Sequence, residues 1–224
     1  MELKNKIFVI QNLIRSQNFS TAIVNCKKLL KKYPENSYTY NLCGLALQGE
    51  KKFSNSIEYF SKALHYDSEN LAAMNNLANS YKTLYYYDKA QDLYLKIIKK
   101  DPLNLKTLNN YANLKRTWND FDGAIDLYLK ATKINPEEIN ILFSLADSYQ
   151  SIGDFKKSRE VIDKILRIDP NKTSAHKLIS GFTNYNDGNK EHLDTMKNLS
   201  SKSDLTNSQK IDLFFALGKA HEDL

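Results

Sequence analysis

The sequence predicts an all-α fold in which paired helices stack into a right-handed superhelical solenoid. Three observations lead to this prediction. Prolines recur at one spacing, small residues recur at two places within that spacing, and no Gly-, Ser- or Pro-rich linker divides the chain. The 224 residues are 42% hydrophobic and 26% charged, which is a globular composition, so the chain is able to bury a core.

The prolines give the repeat length. Pro34, Pro102, Pro136 and Pro170 lie at multiples of 34 residues, and Ser68 occupies the intermediate position where a proline is missing. Proline cannot continue a helix, so each one marks the end of a helical segment. The spacing therefore predicts a helical unit that recurs every 34 residues.

Small side chains occupy the eighth and the twentieth place of almost every unit. The eighth place holds Gly44, Ala78, Ala112 and Ala146, and the twentieth holds Ala22, Ser56, Ala90, Ala124 and Ser158. Two helices approach closely only where their side chains are small, so each unit is predicted to be a hairpin whose helices cross at these places. The first unit has Ile10 in the eighth place, as expected of an end repeat.

This pattern resembles the tetratricopeptide repeat (TPR), a 34-residue helix–turn–helix with the signature W-x2-L-G-x2-Y, A-x3-F and P. The resemblance covers roughly residues 3–172 and implies about five regular repeats, with Lys115 in place of the usual aromatic residue of the fourth. The predicted units are 3–36, 37–70, 71–104, 105–138 and 139–172.

Residues 173–224 are predicted to form a degenerate repeat and a terminal helix. Residues 173–186 are typical of a first helix and 189–199 of a shortened second helix. Thr206 and Gln209 have the spacing of a capping box, so residues 211–224 are predicted to begin a further repeat, with a small residue, Gly218, in the eighth place.

The terminal helix has an apolar face that includes Phe214 and Leu217. Exposed apolar side chains at the end of a solenoid favour association, so a homodimer through this helix is one predicted partner arrangement. The broken repeat and "FALGKAHEDL" also resemble the end of the repeat region in bacterial TPR–sulfotransferase proteins. That resemblance implies an alternative, in which the chain is the substrate- or partner-recruiting region of a larger sulfotransferase-like or glycosyltransferase-like enzyme.

Places 2, 5, 6, 9 and 12 of the first helices form a stripe opposite the core-facing side. In the tetratricopeptide family this stripe lines the concave groove, so the resemblance implies a peptide-binding site there. The candidate groove residues are Asn75, Asn76, Asn79, Lys82, Lys106, Asn109, Asn110, Asn113, Arg116 and Asp147.

Asparagine is a mediocre helix former, so its recurrence on one face needs a reason. Its amide both donates and accepts hydrogen bonds, which suits the backbone of an extended peptide. Asn76 and Asn110 resemble the asparagine ladder of the repeats attached to O-linked N-acetylglucosamine transferase. The alternative is compositional, because the whole chain is rich in Asn, Lys, Ile and Tyr and a solvated face tolerates asparagine.

The carboxylate clamp of chaperone cochaperones, another tetratricopeptide site, is not matched. Asn76 and Lys106 fit its pattern, whereas Asn41, Leu45 and Asn110 do not. Binding of a chaperone C-terminus is therefore not expected, and the predicted partner is a protein or peptide segment in the concave groove.

No catalytic, cofactor-binding or metal-binding residues are predicted. The four histidines lie in different units without metal-ligand spacing, and no Gly-rich phosphate loop is present. Cys26 and Cys43 occupy core-type places, so buried thiols are expected. The chain is accordingly predicted to be a non-catalytic scaffold.

Charge and hydropathy argue against nucleic-acid and membrane partners. The net charge of +6 comes from scattered lysine pairs rather than from one basic stripe. The apolar run "IFVI" at 7–10 is too short for a signal sequence or a membrane span. A cytoplasmic location is therefore predicted.

Overall fold

The computed structural model describes residues 2–224, with the backbone alone described at Asp187, and its regular structure is entirely helical. The helices of the first five hairpins are α1 Glu2–Arg15, α2 Phe19–Lys32, α3 Ser37–Gly49, α4 Phe53–Tyr66, α5 Leu71–Thr83, α6 Tyr87–Lys100, α7 Leu105–Thr117, α8 Phe121–Ile134, α9 Ile139–Ser151 and α10 Phe155–Ile168. They are followed by α11 Thr173–Ser180, a 3-10 turn at Tyr185–Asp187, α12 Lys190–Ser200 and α13 Asn207–Asp223. The predicted all-α fold of consecutive hairpins is confirmed.

The chain divides into two compact units, Met1–Leu114 and Lys115–Leu224, called unit 1 and unit 2 below. Unit 1 contains α1 to α6 and most of α7, and unit 2 contains the end of α7 together with α8 to α13. This division falls inside α7. The separation of residues 3–172 from 173–224 that the repeat pattern indicates stays a prediction.

The small residues of the eighth and twentieth places are buried, and one of them lies at a close helix contact. In the second repeat a Cβ added to Gly44 would lie 2.4 Å from the ring of Phe60, so α3 and α4 are in direct backbone-to-ring contact. The other small residues of the eighth and twentieth places are fully buried, namely Ala22, Ser56, Ala78, Ala90, Ala112, Ala124, Ala146 and Ser158. A larger side chain at these places would force the helices apart.

The turn of each of the first five hairpins contains one residue with a positive φ angle, again at a spacing of 34. These residues are Gln17, Lys51, Tyr85, Asn119 and Gly153. Only the fifth is a glycine, although the left-handed conformation costs other residues about 1–2 kcal/mol. The turns therefore share one backbone shape that the packing of the two helices imposes.

Asparagine side chains cap three of the first helices. The Oδ1 atoms of Asn36, Asn70 and Asn104 each accept a hydrogen bond from the backbone N–H three residues later, at 2.8, 3.0 and 3.1 Å. Such a cap satisfies one of the backbone donors that a helix start leaves unpaired. Part of the asparagine content of this chain is therefore explained by helix capping.

The degenerate repeat differs from its prediction at the end of α11. The spacing indicated a helix over residues 173–186, but α11 ends at Ser180 with Gly181 as its C-cap. The chain then turns so that the Tyr185 side chain, 4% exposed, packs into a cluster with residues of α12 and α13. The segment that the spacing had assigned to the end of this helix thus packs as part of a separate cluster.

The terminal helix is confirmed, with one correction. Thr206 and Gln209 form the predicted capping box at the start of α13. Leu213 and Ala216 are fully buried, whereas Gly218 is exposed and a Cβ there would meet no atom within 4 Å. The assignment of Gly218 to a helix crossing is therefore wrong, since α13 buries a face that does not include it.

Candidate functional site

The predicted groove residues of unit 1 lie on α5 and α7, but two of them are not at the surface. Asn75 and Asn76 are 3% and 4% exposed. The sequence pattern had placed both on an open face. They are buried because side chains of the neighbouring first helices pack against them, and this contact cannot be deduced from one helix considered alone.

The buried asparagines bond to each other between successive repeats. Asn76 Nδ2 donates to Oδ1 of Asn41 at 3.0 Å, and Asn110 Nδ2 donates to Oδ1 of Asn75 at 3.1 Å. Both hydrogen bonds join the fifth place of one 34-residue repeat to the sixth place of the next repeat, 35 residues later. We call each such contact a rung.

One repeat earlier, the two residues at the corresponding places are apolar. Ile7 and Leu42 are separated by 35 residues and belong to one hydrophobic cluster. Within unit 1, the fifth place of one 34-residue repeat and the sixth place of the next are therefore contact positions between repeats. An apolar pair occupies them near the N-terminus and amide pairs occupy them further along. The recurrence of an asparagine 35 residues after another one is the sequence signal that could have revealed the rungs.

Further hydrogen bonds surround the rung between Asn41 and Asn76. Gln48 Nε2 donates to the backbone oxygen of Asn76 at 2.9 Å and to Ser80 Oγ at 2.7 Å, and Ser80 Oγ lies 2.8 Å from Ser56 Oγ. Buried polar groups are stable only when they are hydrogen-bonded. Asn75 Nδ2 is an exception, a buried amide nitrogen without a partner among the residues that the structure describes.

Other groove candidates of unit 1 remain accessible. Lys106 is exposed and donates to Asn76 Oδ1 at 3.3 Å. Asn79 is partly exposed, and its Oδ1 accepts a 2.6 Å hydrogen bond from the phenol of Tyr94. The remaining residues of this group, all partly exposed, are Lys82, Asn109, Asn110 and Asn113.

The lysines of this face lack acidic partners. Partial burial lowers the pKa of the Lys82 ammonium from its usual range. Among the side chains that the structure describes, no carboxylate lies within ion-pair distance of Lys82 or Lys106, whereas other lysines such as Lys6, Lys62 and Lys177 are paired. The face therefore carries two cationic groups whose charge no carboxylate of the described side chains compensates.

The two candidates in unit 2 compensate each other. Arg116 on α7 forms an ion pair with Asp147 on α9, and the arginine side chain is 29% exposed. The sequence had assigned Arg116 to the selection of acidic ligands. Its charge is already engaged, so an acidic ligand at this position would have to compete with Asp147.

Two histidines that are far apart in sequence meet in unit 2. His176 Nδ1 lies 3.0 Å from His192 Nε2, and the outer nitrogens of the two rings bond to the Pro170 carbonyl at 2.9 Å and the Tyr185 phenol at 2.8 Å. Burial lowers the pKa of His192 to about 4 and that of His176 in the same direction. Two neutral rings thus link α11 and α12.

Other chemistry-bearing groups are dispersed. Among the described residues, no three or more His, Cys, Asp or Glu side chains lie close enough to hold a metal ion. Cys26 and Cys43 are free and fully buried, as expected of core thiols. Over the same residues no helix has both the length and the apolar character that a membrane span requires.

Family models match both parts of the chain. Residues 4–113 match the model described as the N-terminal TPR repeats region of Psidin, and residues 119–180 match the model described as tetratricopeptide repeat. The chain is a tetratricopeptide repeat protein. Modules of this kind generally mediate protein–protein interactions and are typically non-catalytic, so the first-helix faces of this tetratricopeptide repeat protein are its candidate binding surfaces.

Solved tetratricopeptide repeat structures share the fold. PilF of Pseudomonas aeruginosa is 15% identical with a TM-score of 0.76, over 95% of this chain and 96% of that one. MamA of Desulfovibrio magneticus RS-1 is 16% identical with a TM-score of 0.67, over 76% and 96%. YrrB, described as a TPR protein with an unusual peptide-binding site, is 16% identical with a TM-score of 0.64, over 89% and 98%.

These likenesses establish an α-solenoid of the tetratricopeptide type for this protein, and at such low identity they establish the fold alone. Among curated proteins the sequence has no significant match. The ligand of this tetratricopeptide repeat protein has to be inferred from its own side chains.

Proposed function

We propose that this protein is a non-catalytic interaction module that binds an extended, acidic peptide segment along the first-helix face of unit 1. The observation that carries the proposal is the pair of uncompensated lysines on that face, Lys82 and Lys106. An acidic side chain bound beside Lys82 would stabilise the ammonium form that partial burial disfavours. Such complementarity gives specificity for acidic partners and speeds their association.

The asparagines have two roles in this proposal. In the proposed complex, the amides of Asn109, Asn110 and Asn113, which are partly exposed on α7, hydrogen-bond to the backbone of a bound segment. The buried Asn75 and Asn76 hold the neighbouring repeats in register, so that the amides and lysines form one continuous strip. Each hydrogen bond gained to the backbone of the bound peptide would contribute about 0.5–1.5 kcal/mol.

Selection from a random-peptide display library on the full chain tests this function. Enriched peptides should be acidic, and their Kd, measured by fluorescence anisotropy, should rise with salt because exposed charges are screened. The double variant Lys82→Gln, Lys106→Gln should weaken binding about tenfold, equivalent to about 1.4 kcal/mol.

The matched control is Lys96→Gln with Lys99→Gln, which removes the same charge from exposed positions of α6 and should leave the Kd unchanged. Failure to enrich any peptide, or equal weakening by both double variants, would contradict the proposal.

The alternative, a recruiting region of a larger transferase, rests on the resemblance of residues 173–224 to TPR–sulfotransferase proteins. The exposed side of α13, with Ile211 and Phe214 each 63% exposed, is compatible with a following helix packed on it. The test is the parent gene. A reading frame that continues beyond Leu224 into a transferase domain supports this alternative, and a stop codon there excludes it.

A further inference from the structure

A second candidate binding site lies in unit 2. A cavity of about 630 Å³ opens there, within the range of about 300–1,000 Å³ that is usual for ligand sites. First helices supply most of its wall, with Phe143 from α9, Leu178 from α11 and Phe215 from α13. Phe155 and Phe182 complete an aromatic side, their ring centroids 6.0 Å apart.

The charged groups of this cavity are paired with one another. Lys177 Nζ lies 3.0 Å from an oxygen of Asp212, and Arg116 pairs with Asp147. The lining therefore has two cations and two anions, each engaged with a partner. A charged ligand group would have to break one of these pairs, so the cavity favours an uncharged group.

The aromatic walls remain accessible to solvent. Phe155 is 53% exposed and Phe215 is 59% exposed, although both border a concave site. Lys177 Nζ lies 5.4 Å from the ring centroid of Phe215, so the lysine already covers part of that ring. The remaining apolar surface gains most from an aromatic or large aliphatic side chain, because burial of apolar area is the driving force.

We propose that the cavity of unit 2 binds a peptide segment through an uncharged aromatic or large aliphatic anchor side chain. This site is separate from the strip of unit 1, and its ligand class is apolar where that of the strip is acidic. The inference therefore does not depend on the function proposed for the strip.

Gly181 provides a way to block the cavity without disturbing the fold. It lines the cavity at the C-cap of α11 with φ −64° and ψ −17°, a conformation that every L-residue adopts. A Cβ there would meet only the Leu178 carbonyl at 3.5 Å, an ordinary van der Waals distance. Gly181→Trp is therefore expected to put an indole in space that a ligand would need.

The experiment is selection from a random-peptide display library on the full chain, with counter-selection on Gly181→Trp. The sequences that survive should share an aromatic or large aliphatic residue. Their Kd should rise about tenfold or more on Gly181→Trp and severalfold on Phe215→Ala, whose side chain is mostly exposed. The control Gly218→Trp, on the open side of α13, should bind as wild type.

The outcomes separate the two proposals. If acidic peptides bind wild type and Gly181→Trp equally and no sequence survives counter-selection, the cavity inference fails while the strip stands. Survivors anchored by Lys or Arg would overturn the apolar ligand class. Apolar survivors that depend on Phe215 support the cavity whatever the result at Lys82. Equal unfolding midpoints for the variants and wild type show that the blocked form is folded.

Discussion

Asn76 donates a 3.0 Å hydrogen bond from Nδ2 to Oδ1 of Asn41, a residue 35 positions earlier in the preceding repeat. Asn110 and Asn75 form the same kind of hydrogen bond one repeat later. A face that looks polar in sequence is therefore partly an internal contact between repeats. The asparagines of the rungs are therefore expected to contribute to stability, and this contribution can be measured separately from the ligand binding proposed for the strip.

Asn76→Ala is expected to destabilise the protein by about 1–3 kcal/mol. The substitution leaves the buried Asn41 oxygen without its donor, and an unsatisfied buried group costs about that amount. Chemical denaturation measures the change. The control Asn109→Ala, at a partly exposed place of the same stripe, should shift stability by no more than about 0.5 kcal/mol.

The double variant Asn41→Leu, Asn76→Leu refines this test. Replacing both hydrogen-bond partners by apolar groups can leave the free energy of unfolding nearly unchanged. Ile7 and Leu42 are already an apolar pair at the corresponding places one repeat earlier. We expect the double variant to be more stable than Asn76→Ala. If it unfolds earlier than the alanine variant, the rung is not a simple interchangeable contact between repeats.

Gly44→Ala and Gly218→Ala should have opposite effects on stability. The new Cβ at Gly44 would lie 2.4 Å from the Phe60 ring, so overpacking is expected to cost about 1–3 kcal/mol. At Gly218 the Cβ meets nothing, and alanine inside a helix is favoured over glycine by about 0.5–1 kcal/mol. Thermal unfolding of the two variants gives the comparison, and a shift of the same sign in both would refute it.

Acidification should weaken unit 2 through His192. Its folded pKa is about 4, below the ordinary value of 6.5, because burial and the neighbouring charges of His176 and Arg159 disfavour the protonated ring. Burial likewise disfavours protonation of His176, against the opposing effects of the Pro170 carbonyl and Asp169. The unfolded chain then binds more protons between pH 6.5 and 4, so stability is present above pH 6.5 and falls as the pH is lowered towards 4.

The expected loss is on the order of 1–3 kcal/mol. Hydrogen–deuterium exchange of α11 and α12 at pH 7 and pH 5, with rates corrected for the intrinsic effect of pH, is the measurement. His192→Gln, which cannot titrate, should reduce the difference in protection between the two values. The exposed His65→Gln is the control and should retain it.

Self-association through α13 is expected from its uncovered apolar side, where Ile211 and Phe214 are each 63% exposed. Light scattering over a range of concentrations should detect dimers, because contiguous exposed apolar residues favour association. Phe214→Lys should shift the equilibrium to monomer without loss of helix content. A wild-type chain that stays monomeric at high concentration would eliminate the dimer.

Periodicity was sufficient to predict the hairpins. The small residues at Ala124 and Gly44, the capping box at Thr206 and the buried thiol of Cys26 all follow from spacing within one or two helices. Such features are local, because the geometry of a helix fixes which side chains share a face and which positions allow two helices to approach. Neighbours in the chain are sufficient to establish them.

Contacts between repeats required the tertiary structure. The burial of Asn76 against Asn41 and the pairing of Arg116 with Asp147 join residues of successive repeats that lie 35 and 31 positions apart. Each depends on how far one hairpin is rotated and displaced relative to the next, and the packing of all their side chains together sets that rotation. The sequence by itself determined which helices pair and where they cross. Only the tertiary structure decided which polar side chains are used between repeats and which remain available to a ligand.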